Sequence, residues 1–289
     1  MMNDAQPPRR SQLRRIVMTL LIIVCVIILI PVAFLYFRQH SLVYYPRKYA
    51  EGFERALPTD VAPLRYTTAV GEQVAFYVAP RSGAAMPGRV WLMFSGNASV
   101  ALDWLFVIER NPNNDDAYLL IDYPGYGKSA GVASITSTRA SADKAVATLA
   151  ERLATSANDL APRLCVVGLS LGAAAALEFA AGHPVQRVLL IAPFTTLRAV
   201  AALHFSRPAS YLLRENYDNH ARVLELAARI PPPRVAIFHG ADDTLIPARM
   251  GQELAESAPS VAMFFPIQRA THDTIVSDAL PEIIAWMNQ

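Results

Sequence analysis

Gly168-Leu169-Ser170-Leu171-Gly172 stands between the apolar run Leu164-Cys165-Val166-Val167 and the alanine-rich run Ala173 to Ala181. A serine is thereby set on a sharp turn from a buried strand into a helix. Such a turn forces the serine into a strained backbone conformation, and side chains two positions to either side would collide, so 168 and 172 are glycine. The hydroxyl is lifted clear of the sheet. The first amides of the following helix can then face a negative charge that develops beside it. At average usage, chance places only ~0.1 such pentapeptides in a chain of this length. An ordinary tight turn with a capping serine is the bland alternative, and it has no need of this strand-to-helix context.

The rest of the chain supplies a sheet to carry that turn. Strand-like runs at Leu64 to Val70 and Gln73 to Ala79, split at Gly71, predict an antiparallel start. Apolar runs then alternate with helical patterns: Val90 to Phe94, helical Val100 to Arg110, Ala117 to Ile121, and Thr138 to Leu153 at helical spacing. Further strands are expected at Leu164 to Val167, Arg187 to Ile191, Arg234 to Phe238 and Val261 to Phe265. This order predicts an α/β fold: a mostly parallel sheet with helices on both faces. The segment 195–226 breaks the alternation and carries Leu203, Phe205, Tyr211, Leu212 and Leu213 among polar residues. It reads either as a short cap over the site or as two ordinary helices packed on the sheet.

From Ile16 to Phe37 the sequence is almost unbroken in apolar residues, and as a helix it would reach ~33 Å, enough to cross the hydrocarbon core. A cleaved signal peptide is the competing reading, but the stretch is long for that and no A-x-A-like site follows closely. Pro31 is expected to kink or end the helix, with Phe34, Tyr36 and Phe37 as interfacial anchors. Arg9, Arg10, Arg14 and Arg15 precede the span against Arg38, Arg47 and Lys48 after it, a bias towards a cytoplasmic N-terminus. The expected organisation is a cytoplasmic tail 1–15, a transmembrane anchor 16–37, a juxtamembrane segment 38–63 and a catalytic domain 64–289. That domain would lie outside the cytoplasm, in the periplasm if the source is Gram-negative.

Net charge is +2 over 289 residues, with no basic patch interleaved with aromatics, so nucleic acid is not an expected partner. The two cysteines, Cys25 in the apolar segment and Cys165 before the elbow, fall in different environments and are expected not to pair. No H-E-x-x-H, paired C-x-x-C or dinucleotide loop occurs, and neither a metal nor a cofactor is expected.

A serine hydroxyl needs a base, and the base an orienting carboxylate. Downstream, Phe238-His239-Gly240-Ala241-Asp242-Asp243 places two acids just after a strand, and Thr271-His272-Asp273 places a histidine in a late loop. The order Ser, Asp, His is that of one known triad arrangement. Residues alone leave Asp242 and Asp243 open.

Five blocks make the chain resemble the α/β-hydrolase superfamily, and within it the BEM46-like group of membrane-anchored serine hydrolases. Phe94-Ser95-Gly96-Asn97-Ala98 resembles that group's F-H-G-N-A block, and Asp122-Tyr123-Pro124-Gly125-Tyr126-Gly127-Lys128-Ser129 its D-Y-x-G-Y-G-x-S block. Pro193-Phe194-Thr195-Thr196, Tyr217-Asp218-Asn219 and the H-G-x-x-D-x-x-I-P block from His239 to Pro247 complete the match. The resemblance implies Ser170 as nucleophile, Asp243 as acid, His272 as base, and the amides of Asn97 and Leu171 as an oxyanion hole. Two departures stand out: Ser95 where the family carries histidine, and Ala270-Thr271 in place of a glycine-rich approach to His272. His239 is expected to be structural, and His183, His204 and His220 to be helix-end or surface residues.

The implied function is hydrolysis of an ester or thioester by a membrane-anchored enzyme, on a small-molecule or lipid acyl substrate. A serine peptidase on the same fold and a catalytically silent, membrane-tethered binding protein are the alternatives.

Overall fold

A computed structural model describes residues 10–289. The expected cytoplasmic tail therefore falls largely outside the described residues, Arg9 with it. Helix α1 (Arg10–Val43) comes first and is long and apolar enough to cross a membrane. It continues through Pro31 rather than ending there, which costs one backbone donor and is tolerated in apolar helices. Phe34 and Phe37 are exposed on it. The helix thus extends past the 16–37 span, taking in residues 38–43.

Residues 44–60 cross the surface of the domain as an irregular strap. Tyr49 stacks on Phe53 and meets Phe76 edge-on, and Arg47 pairs with Asp103 at 2.9 Å. The sheet then forms from β1 (Val61–Thr68), β2 (Gly71–Val78), β3 (Val90–Phe94), β4 (Ala117–Ile121), β5 (Leu164–Leu169), β6 (Arg187–Ile191), β7 (Arg234–Gly240) and β8 (Ala262–Ile267). Its order is β1-β2-β4-β3-β5-β6-β7-β8. β2 runs antiparallel to both neighbours, and every pairing from β4 to β8 is parallel.

The helices are α2 (Leu105–Arg110), α3 (Ile135–Arg152), α4 (Ala157–Leu160), α5 (Leu171–Gly182), α6 (Leu197–His204), α7 (Arg207–Ser210), α8 (Asn219–Ala227), α9 (Ala248–Ser257), α10 (Ile275–Asp278) and α11 (Leu280–Met287). Strand residues alternate between two cores, as the two-residue period of a strand requires. Leu92, Phe94 and Val166 face a core shared with Ala142 of α3, Leu177 of α5, Val223 of α8 and Leu254 of α9. Trp91, Met93 and Val167 face the other, with Val107 of α2 and Ile283 and Trp286 of α11. Both faces are covered, which is why the central strands read as unbroken apolar runs. Cys165 is buried in the second core while Cys25 is exposed on α1, and both are free thiols.

The irregular segment divides in two. α8 packs against α5 and α9 as an ordinary flanking helix, while α6 and α7 rise over the carboxyl end of the sheet. A single bridge, Thr196 to Asp218, closes the base of that excursion.

Candidate active site

Ser170 is the one residue between β5 and α5. Its backbone, φ 55° and ψ −116°, lies at positive φ, where a residue with a Cβ carries of order 1–3 kcal/mol of strain. The surroundings hold it there. Its amide donates to Ile191 O at 2.8 Å, and two positions to either side the chain is packed too tightly for anything but glycine. A Cβ on Gly168 would strike the backbone of Gly172, and one on Gly172 the carbonyls of Phe94 and Ser95.

Asp243 sits in the turn that follows β7. Its Oδ1 accepts from the amides of Leu245 at 2.9 Å and Ile246 at 2.8 Å, which fixes the plane of the carboxylate. Oδ2 lies 2.7 Å from Nδ1 of His272 and 3.4 Å from Nε2 of His239. Burial pushes this carboxyl up, but the hydrogen bonds from His239, His272 and the Ile246 amide outweigh it and hold Asp243 well below the usual carboxylate range. An ionised Asp243 can only accept. Nδ1 of His272 therefore carries the proton, and Nε2 is left as acceptor for the Ser170 hydroxyl, 3.0 Å away. Asp242, next in the chain, points outward and is exposed.

The loops bearing acid and histidine are locked together. Gly240 passes so close to Ala270 O that a Cβ would strike it, and the Asp242 amide donates to that same carbonyl at 3.0 Å. The Thr271 amide donates to Thr274 Oγ1 at 3.0 Å, so a threonine turn does the bracing that the missing glycines do not. His239 is buried, with Nε2–H donating to Ile246 O at 2.8 Å and so supporting the acid turn from below. His183 ends α5, stacked on Phe179, and His220 is exposed in the first turn of α8.

Asn97 follows β3 in a loop, and with Leu171 it lines the same cavity as Ser170. Ser95, the departure from the family pattern, donates from Oγ to Val100 O at 3.0 Å and ties the loop to itself. Asp122 lies beneath, buried and accepting from the Ala101 amide at 2.9 Å; burial pushes its carboxyl up to about 6. The Asn97 side chain turns away towards the strap. Nδ2 donates to Val43 O at 2.6 Å, and Oδ1 accepts from the Tyr45 amide at 2.9 Å, the Ala98 amide at 3.1 Å and the Tyr126 hydroxyl at 2.7 Å.

A cavity of about 370 Å³ opens above Ser170, within the ~300–1,000 Å³ usual for small-molecule sites. Three features of it had no signal in the sequence. The end of α1 forms one wall, the Asn97 side chain joins that wall to the floor, and His204, at the end of α6, closes on Leu245 O at 2.9 Å. Each depends on contacts between residues more than 40 positions apart. Among the described residues, no group of three or more His, Cys, Asp or Glu is arranged to hold a metal.

Comparison with known proteins places this geometry in a family. Two uncharacterized proteins of Mycobacterium tuberculosis strains are 31% identical over 157 residues, covering 54% of this chain and 52% of their own length. The chain thus spans about half the length of the curated relatives it matches. An esterase from Pyrococcus furiosus superposes with a TM-score of 0.63 at 15% identity, over 85% of this chain and 96% of its own. An Exiguobacterium antarcticum esterase gives 0.58 at 14% identity, over 79% and 100%. At such identities the likeness is one of fold. The model of the alpha/beta hydrolase family matches residues 82–287, from the turn before β3 to the end of α11, and the chain belongs to that family.

Proposed function

We propose that the protein is a membrane-anchored serine hydrolase of the BEM46-like group, cleaving ester or thioester bonds of acyl substrates. The observation that carries this reading is the continuous relay from Ser170 Oγ through His272 to Asp243, with contacts of 3.0 and 2.7 Å. Nε2 of His272 removes the serine proton as Oγ attacks the acyl carbonyl, and the imidazolium that forms is stabilised by Asp243. The amides of Asn97 and Leu171 receive the oxyanion. The leaving group takes the proton from His272, and water, activated by the same nitrogen, frees the acid and regenerates Ser170. Alkoxides and thiolates leave more readily than amines, which favours esters and thioesters over amides.

In this reading α1 is an uncleaved anchor with its N-terminus in the cytoplasm, and the catalytic domain lies on the other side of the bilayer. Support comes from the length of the helix and from the arginines that precede its apolar stretch.

A fluorophosphonate probe on membranes holding the full chain tests the nucleophile. Wild type should label, and Ser170→Ala should lose labelling and about 10⁴-fold or more in kcat on an activated ester. Labelling of a folded Ser170→Ala protein at the wild-type rate would reject the assignment, and a wild-type chain that never labels would favour the silent binding protein.

A further inference from the structure

The cavity over Ser170 has Ser170 and Asn97 at its floor and is otherwise lined mostly by apolar groups, with Gln39, Tyr45 and His204 interspersed, and one of its walls is the anchor itself. Leu42 and Val43, from the last turn of α1, face Leu197, Val200 and Ala201 of α6 and Leu212 beyond α7. This wall is fastened rather than resting there. Gln39 Oε1 accepts from the Arg214 amide at 2.6 Å, the Arg214 guanidinium lies 5.1 Å over the Tyr36 ring, and Val43 O receives the Asn97 side chain. A second, independent observation concerns the outer surface of the cap. Leu203, Phe205 and Tyr211, in and at the ends of α6 and α7, are 45%, 60% and 73% exposed, and residues Leu20 to Phe34 of α1 are all apolar. Exposed large apolar side chains on a cap over a site suit a surface that works against another apolar phase.

We propose that α1 is part of the substrate site as well as its tether: the acyl chain of a membrane-resident lipid ester passes from the bilayer along α1, beneath α6 and α7, and lies against Leu42 with its carbonyl at Ser170. This rests on the reading of Ser170 as nucleophile and α1 as membrane helix. A site for a short, water-borne acyl group would need neither the depth of apolar wall nor the exposed cap. Each methylene taken from water into such a wall is worth roughly a four-fold gain in kcat/KM, converted from ~0.8 kcal/mol. Leu42 then sets how many methylenes fit.

The test uses the full chain in phosphatidylcholine bilayers and p-nitrophenyl esters from two to twelve carbons. Wild type should rise in kcat/KM with chain length, preferring the ten-carbon ester to the acetate by at least a hundred-fold. Leu42→Trp, which fills the wall, should reduce that ratio at least ten-fold. Leu42→Ala, which enlarges the cavity and adds no bulk, should move the optimum to longer chains. Ser41→Trp, one residue away and outside the cavity, should leave the profile unchanged. An unaltered ratio in both Leu42 variants, an equal shift in Ser41→Trp, or a flat wild-type profile overturns the inference while fluorophosphonate labelling at Ser170 still stands. A wild-type chain that neither labels nor turns over any ester overturns the underlying reading, and this inference with it.

Discussion

Ser170 and Asp243 show how far a single residue's surroundings dictate its chemistry. The serine is held at positive φ by tight packing of backbone on both sides, so the strain belongs to the architecture of the turn. Asp243 is constrained just as closely, because two amides claim Oδ1 and leave only Oδ2 for His272. That gives Asp243→Asn a definite outcome. The asparagine oxygen must stay with the amides of Leu245 and Ile246, so its NH2 turns to His272 and forces the proton from Nδ1 to Nε2. The wrong tautomer then faces Ser170, and kcat on an activated ester should fall by about 10⁴. Asp242→Asn, on an exposed side chain, should change it by no more than a few-fold. A larger loss in Asp242→Asn, with both variants folded, would pass the role to Asp242. Ser170 and His272 were legible because an elbow and a late histidine each leave a mark in the local sequence, whereas the choice of Asp243 over Asp242 came only from the family resemblance. Asn97 was readable only in part: its place in the loop was legible, and the fate of its side chain was not.

At the level of elements, what matters is the junction of α1, the strap and the loop after β3. Asn97 makes four hydrogen bonds there, to the end of α1, the strap, its own loop and Tyr126. Asn97→Ala should lower kcat about 10–100-fold with little change in KM, since the loop bearing a proposed oxyanion amide loses its brace while the cavity walls remain. Tyr126→Phe, which removes one of the four bonds, should cost far less. Steady-state kinetics on the full chain separate the two, and an unchanged kcat in Asn97→Ala would mean that the clip is only structural. Apolar runs placed β3, β4 and β6 with no difference at either end, and the other five strands to within two or three residues, β1 beginning at Val61 rather than Leu64. The end of α1 and the division of the cap were not. Helical continuation through Pro31 into Gln39–Val43 is decided by packing on Arg214 and Asn97, and the separation of α8 from α6 and α7 by which surface each covers; neither leaves a periodic trace.

For the whole molecule the open question is where it sits. Carbonate extraction should leave the full-length chain in the membrane, and protease added from outside should reach the catalytic domain in cells or vesicles of known orientation. A shortened chain released into the soluble fraction would point to a signal peptide, and a protected domain would reverse the topology. The fold as a whole was legible because alternating strands and helices admit few arrangements. The contribution of the N-terminal helix to the site was hidden because composition marks a membrane span and says nothing about what its last turn touches. The single side chain that joins Val43 to the loop after β3 also bears on how such an enzyme is prepared. Trimming the chain at the first strand, Val61, would keep every strand and the Ser170, His272 and Asp243 group but remove Tyr44 from the core and the Tyr49 and Phe53 rings from Phe76. The trimmed chain would also lack two of the partners of Asn97 and a wall of its cavity, so under the proposed function its turnover and chain-length preference would differ from those of the full chain.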